Sequence, residues 1–188
     1  VSNGIYRTGA ASGGGLPARV RLTRSVALRS LNGARQTVIE GASNSDETPL
    51  GSLAVRGVYM TNGLIDGFTI RRGHTAATGE VAATVGGGIY ATGGTQLNMR
   101  VAGNRGQSAG GAWLGRCRAS NVSFDVNYSE AGARVRTDRR VRMTGCRVGT
   151  RSLPVPDLKI LGTNGEVVVN GDAGMAGGTG VSYAGVPR

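Results

Sequence analysis

Gly86-Gly87-Gly88-Ile89-Tyr90 opens the stretch that decides the fold. Its core, Gly87-Gly88-Ile89-Tyr90, is answered 23 residues later by Gly110-Gly111-Ala112-Trp113. Asn104 closes the segment after the first copy, and Asn127 closes the segment after the second, again 23 residues on. A period of this size is too short for a domain and too long for a helix heptad. It matches one coil of a β-solenoid, in which each repeat buries its apolar face only against its neighbours. The glycines lead into a strand rather than a helix, so they do not form a phosphate-binding loop. Gly and Asn at coil corners have a physical cause, because sharp corners often need left-handed backbone. Asn104 and Asn127 are therefore expected to stack as a corner ladder.

Outward from this stretch, short apolar-alternating segments are separated by turns. Before it come Ser2-Asn3-Gly4-Ile5-Tyr6, Arg19 to Leu22, Val26 to Leu28, Gln36 to Glu40, Val55 to Met60 and Leu64 to Ile70. Beyond it come Leu97 to Val101, Ala112 to Leu114, Val122 to Val126, Ala133 to Arg136 and Val141 to Met143. Arg7 to Leu16 is a Gly/Ser loop. Ala42 to Ser52 and His74 to about Thr84 are polar, turn-rich insertions. Laid over one another, the coils place Ile5-Tyr6, Val58-Tyr59, Ile89-Tyr90, Ala112-Trp113 and Ala133-Arg134 in one column. A second column holds Leu97, Met99 and Val101, then Val122, Phe124 and Val126, then Val141 and Met143, with Phe68 and Ile70 above. Equivalent strands would pair in parallel about 4.8 Å apart, giving about six coils and a rod on the order of 30 Å long.

Residues 1–149 thus read as one all-β solenoid, and residues 150–188 as a linker and tail. Ser152-Leu153-Pro154-Val155-Pro156 is the linker. Asp157 to Val169 carries a hairpin signal at Asn164-Gly165. Gly171 to Arg188 is Gly-rich. The tail is expected either to cap the open end of the rod or to lie on a neighbouring subunit.

Composition agrees. With Gly 34 and only 4% aromatic residues among 188, the chain argues against helices, and the absence of a three-residue Gly period excludes collagen. No apolar run approaches the roughly 20 residues that span a bilayer, so no membrane span is expected. The net charge of +11 comes almost wholly from Arg, with Lys159 the single lysine. Such a balance raises nucleic acid or acidic polymers as partners. The arginines are spread along the chain and alternate with apolar residues, as in Arg19-Val20-Arg21-Leu22. They read first as an outward, solvated strand face, second as a polyanion-binding face, with nucleic acid the less expected ligand. Cys117 and Cys146 lack zinc-site spacing; Cys146 reads as a buried thiol, and whether the two pair stays open.

Several of these segments together resemble a known group. Ser2 to Tyr6, Val26 to Gly33, Thr37-Val38-Ile39-Glu40-Gly41, Val55 to Gly63, Gly67-Phe68-Thr69-Ile70 and Gly86 to Tyr90 are similar to the right-handed parallel β-helix proteins of the pectate-lyase-like superfamily. Within it the likeness is to bacterial surface and secreted proteins with polymorphic outer-membrane-protein-type repeats. The resemblance implies a right-handed parallel β-helix, located outside the cell or on its surface, with a structural or adhesive role. Such proteins usually carry an N-terminal cap before the first coil. Val1 opens directly on a strand, which suggests a processed piece or a fragment. The tail from Asp157 resembles the start of a small β-sandwich module. Enzymes of this group cleave acidic polysaccharides with several strand carboxylates, often with Ca²⁺ and a basic proton acceptor.

Two candidate sites follow. If Ile5, Val58, Ile89 and Ala112 point inward, then Tyr6, Tyr59, Tyr90 and Trp113 form an outward stripe continued by Arg134. Flat stacked rings suit sugar rings or a partner protein, unless they pack beneath a loop or the tail. The two insertions enter at equivalent places, which brings Asp46, Glu47, His74 and Glu80 into one neighbourhood. A His among carboxylates suits acid/base chemistry or a cation, but no ligand spacing is set. The strand carboxylates Glu40, Asp66 and Asp125 fall in different coils, with no close pair for glycoside hydrolysis. The leading expectation is a non-catalytic structural or adhesive protein without cofactor, binding copies of itself, surface proteins or polysaccharide, and assembling end to end. A polysaccharide lyase or hydrolase using Ca²⁺ and a polyanion-binding module are the alternatives.

Overall fold

Alternating apolar residues, rich in Val and Ile, form short strands in this chain, and every strand pairing among the described residues is parallel. The computed structural model describes residues 1–131, 135–138, 141–144, 146–148, 158–161, 168–170 and 181–184. In chain order the first elements are β1 (Gly4–Tyr6), β2 (Ala18–Leu22), β3 (Ala27–Arg29), β4 (Thr37–Glu40), β5 (Arg56–Met60), β6 (Leu64–Asp66) and β7 (Thr69–Arg71). A single helical turn, α1 (Val81–Thr84), precedes β8 (Ile89–Ala91), β9 (Thr95–Ala102), β10 (Arg105–Gly106), β11 (Ala112–Gly115), β12 (Arg118–Asp125) and β13 (Tyr128–Ser129). Then follow β14 (Val135–Asp138), β15 (Arg142–Thr144), β16 (Arg147–Val148), β17 (Leu158–Leu161), β18 (Val168–Asn170) and β19 (Val181–Ala184). Among the described residues no helix is long and apolar enough to cross a membrane.

The first sheet runs β1-β4-β7-β9-β12-β15-β18, with β3 and β6 alongside β9 and β16 alongside β12. The second runs β2-β5-β8-β11-β14-β17-β19, and β10 pairs with β13 in a small third ladder. The chain passes between sheets, and each strand pairs with its counterpart one repeat along. This all-β, parallel arrangement is compatible with a parallel β-helix. In the second sheet the register steps Ile89, Ala112, Val135, Leu158 and Val181 share one row, so the 23-residue step continues beyond Gly149.

Three sequence expectations are corrected by this register. The Asn-Gly signal at 164–165 suggested a hairpin, yet β17 and β18 lie in different sheets, each parallel to the preceding repeat. The open edges of β14 and β15 offer them partners, which outweighs a local turn preference. Tyr6 is not in the column of Tyr59: β1 pairs with β4, setting Ile5 beside Val38 and Tyr6 beside Ile39. The neighbour of Trp113 is Arg136, not Arg134, because Val135 is the residue that follows Ala112 in the buried row. Arg134 itself lies outside the described residues.

The core is a stack of rows. Val58, Ile89, Ala112 and Val135 form one; Ile39, Ile70, Val101 and Phe124 another; Ile65, Gln96, Ala119 and Met143 a third. Met99 opposes Val122, and Leu97 opposes Ser120. Val126, expected in this column, sits at a corner with φ 53° and is 48% exposed. Both cysteines are buried, and burial pushes the Cys117 thiol up to about 12.

Polar ladders hold the corners. The Asn104 side chain accepts from the Gly73 N–H at 2.9 Å and donates to the Ile70 carbonyl and to Asn127 Oδ1, both at 3.0 Å. Asn127 in turn donates to the Val101 carbonyl at 2.8 Å. This is the expected Asn104–Asn127 ladder, fully buried. A second, exposed ladder runs from Asn121 to Asn98 Oδ1 at 2.9 Å and from Asn98 to Asp66 Oδ1 at 2.8 Å. Its two asparagines have φ of 51° and 53°, the left-handed backbone Asn tolerates. At the opening glycines, Gly86 has φ 72°, and a Cβ on Gly88 would lie 2.4 Å from the Gly111 carbonyl oxygen.

Asn104→Ala leaves buried backbone groups without partners and is expected to cost about 2–4 kcal/mol in urea unfolding. Gly88→Ala should cost about 1–3 kcal/mol through overpacking. Asn121→Gly, which keeps the corner backbone accessible, should stay within about 1 kcal/mol of the parent.

Candidate functional site

Strand alternation builds the site. Val58, Ile89 and Ala112 point into the core, so Tyr59, Tyr90 and Trp113 stand on the other side of the second sheet. Parallel spacing sets ring over ring. Tyr59 and Tyr90 are 5.5 Å apart at 12°, and Tyr90 and Trp113 are 4.9 Å apart at 13°. Both distances suit offset stacking. The row begins with Arg21, whose guanidinium is 5.1 Å from the Tyr59 ring centre, and continues past Trp113 to Arg136.

The row is not an open stripe. Tyr90 is only 8% exposed, packed with Val85 and Ala109, while Tyr59, Ala82 and Trp113 flank it half-buried. The roof comes from the loop before β2 and the insertion before β8. Gly14 lies so close to the Tyr59 ring that a Cβ there would be 2.2 Å away. Gly15 touches Ala82 and Ala83, and Leu16, Ala76 and Ala83 form a small core inside the roof. Of the two arrangements expected for the aromatics, packing beneath a loop is the one Tyr90 adopts. Tyr6 is exposed on β1, its hydroxyl donating to the Ser2 carbonyl at 2.8 Å, away from this row.

Arg56 pins the roof to the sheet. It is 0% exposed, donates from Nη2 to the Ala82 carbonyl at 2.7 Å and to the Val85 carbonyl at 3.0 Å, and lies 5.0 Å from the Tyr90 ring centre. Its Nε and Nη1 have no hydrogen-bond partner. Burial pushes its pKa down to about 10, opposed by Tyr90 and Tyr59. Sequence reasoning missed this residue. Alternation gives no warning of it, because the period of two would set Arg56 with Val58 and Met60, whereas its contacts are with Ala82, Val85 and Tyr90 on the roof side.

The two polar insertions do adjoin, the Gly51 N–H donating to the Thr75 carbonyl at 3.1 Å. Asp46, Glu47 and Glu80 are exposed. His74 is half-buried with Nδ1 2.9 Å from the Arg72 carbonyl, and burial lowers its pKa. Among the described residues no group of three or more His, Cys, Asp or Glu side chains is placed to hold a metal ion. The strand carboxylates are engaged elsewhere. Glu40 binds Arg71 at 2.8 Å and Arg72 at 3.6 Å, Asp66 faces Arg29 at 3.9 Å, and Asp125 faces Arg100 at 3.6 Å.

Tyr90→Ala should lower the unfolding free energy by about 3–5 kcal/mol. It should also shift the emission of Trp113, the single tryptophan, to the red. Arg56→Met should be tolerated better than Arg56→Ala, since it fills the same volume without a buried charge. Between about pH 10 and the usual guanidinium range, native Arg56 is neutral while the unfolded chain still holds the proton. Stability of the parent relative to Arg56→Met should therefore rise as pH increases through about 10, read by parallel denaturant titrations.

No protein-family model, curated protein or solved structure matches the chain.

Proposed function

We propose that the chain is a right-handed parallel β-helix of about six coils that serves as a non-catalytic structural or adhesive protein outside the cell or on its surface, binding through its long faces. The observation that carries this reading is the use made of the strand carboxylates. Glu40, Asp66 and Asp125 each neutralise an arginine on the same sheet and sit in separate places, so no two of them flank one reacting bond. A glycosidase needs two carboxyl groups within roughly 5–10 Å across an open cleft. The roof over Tyr90 supports the same reading, because it spends the aromatic row on packing.

End-to-end assembly would use the backbone edges that a stack of parallel repeats presents to a further strand.

Incubation with polyuronate and neutral polysaccharides, with and without Ca²⁺, should give no new reducing ends or unsaturated products; turnover in either condition overturns the scaffold reading. Light scattering should show concentration-dependent growth of the protein; a constant size across concentrations overturns end-to-end assembly.

A further inference from the structure

Where the chain turns from the second sheet into the first, successive repeats form a corner. Met60, Ala91 and Leu114 share a row, and just beyond them come Asn62, Gly93 and Arg116. Glycine follows in the first two of these repeats. Gly63 has φ 84° and Gly94 has φ 91°. A Cβ would lie 2.5 Å from the Val26 carbonyl oxygen at Gly63 and 2.8 Å from the Gly63 carbonyl oxygen at Gly94. These bare corners border a groove of about 440 Å³ whose lining includes Ser25, Asn62, Thr95, Arg116 and Arg118. Arg118 stands outward in the row of Leu64 and Thr95, because the residues that follow these three, Ile65, Gln96 and Ala119, are buried. Arg116 reaches the same groove from left-handed backbone, with φ 52°. That conformation costs an ordinary L-residue roughly 1–2 kcal/mol.

We infer that Arg116 and Arg118 clamp a phosphate monoester in this groove. Charge is the first reason. Arg29, Arg71, Arg72, Arg100 and Arg105 each face a carboxylate, whereas Arg116 and Arg118 are exposed and make no ion pair among the described residues. No carboxylate lines the groove, so two like charges share it uncompensated. A phosphate monoester carries close to two negative charges at neutral pH and balances both, which a diester does not. The donors are the second reason. Guanidinium forks suit a phosphate's oxygens, and the hydroxyls of Ser25 and Thr95 stand beside them. Asn62 spends its side-chain oxygen on the Gly63 N–H at 2.7 Å, which turns its NH2 to use as a donor. Size is the third. The volume falls within the range of about 300–1,000 Å³ typical of small-molecule sites. With no aromatic residue in the lining, the phosphate itself is what the groove recognises, and Val26, Ala27 and Leu64 offer apolar contact to the skeleton that carries it. A soluble phosphate ester and a phosphatidate headgroup present this same group. The site is a corner rather than a long face, so it goes beyond the structural or adhesive reading and stands apart from it.

The test uses the whole chain and two kinds of probe. Inorganic phosphate is titrated by calorimetry. Phosphatidylcholine vesicles containing either phosphatidic acid or phosphatidylglycerol, matched in surface charge, are tested by cosedimentation. Arg116→Asn with Arg118→Ser should weaken binding roughly tenfold or more, as expected for lost hydrogen bonds to a charged group. Asn at 116 tolerates the left-handed corner. Arg7→Ser with Arg35→Ser, an equal loss of charge outside this groove, should cost less than about threefold. Should the first pair lower the thermal midpoint, Arg118→Ser alone, on an outward strand position, must still show the loss. Binding of phosphate without vesicles supports the inference and identifies a soluble ester. Preference for phosphatidic acid over phosphatidylglycerol supports it and identifies a lipid headgroup. Equal binding to the two vesicle types, equal losses in the two double variants, or no binding of either phosphate or phosphatidic acid overturns it.

Discussion

Parallel pairing between repeats, at a spacing of about 4.8 Å, is the constraint on which the rest of this structure depends. It sets each residue over its equivalent in the next repeat, so like stacks on like. Apolar positions become continuous rows, as in Val58, Ile89, Ala112 and Val135. Corner amides become ladders, as in Asn104 and Asn127. The same rule makes the arrangement costly for carboxylates, since identical charges would repel across strands. Glu40 and Asp125 avoid this by sitting next to arginines.

The rule also explains the aromatic row and its fate. Three rings stacked along a sheet leave a large apolar surface, and the chain covers it with segments inserted between strands. The roof packs mainly small apolar residues, Leu16, Ala76, Ala82, Ala83 and Val85, and a fully buried guanidinium supplies its anchoring hydrogen bonds. A buried Arg without a carboxylate is expensive, and its lowered pKa reflects that cost. Tyr90 offsets part of it through the ring face. One sheet is thus turned inward by its insertions, while the other keeps its arginines at the surface.

Much of this is legible in the chain, and the rest is hidden from it for definable reasons. The 23-residue echo between Gly87 and Gly110 named the repeat, and alternation placed Tyr59, Tyr90 and Trp113 opposite the core. Gly4-Ile5-Tyr6 looks like Gly88-Ile89-Tyr90, which is why the sequence alone suggests Tyr6 for that row. Local similarity does not distinguish one strand of a repeat from another when both alternate. Ala133 resembles Ala112 and so points to Arg134, although burial of Val135 sets the register two residues further on. The repeat also continued past Gly149, where Pro154, Pro156 and an Asn-Gly pair had masked it.

The sequence by itself determined the all-β class, the repeat length, the parity of the aromatic strands and the corner role of Asn104 and Asn127. These depend on period and residue type, which are local properties. Only the tertiary structure decided which strands share a sheet, that a loop and an insertion close over Tyr90, that Arg56 holds them, and that Arg116 and Arg118 line one groove with Ser25 and Asn62. These depend on contacts between residues far apart in the chain, whose register is set by insertions of unequal length. Neither periodicity nor composition records how long a detour the backbone takes before it returns to the same row.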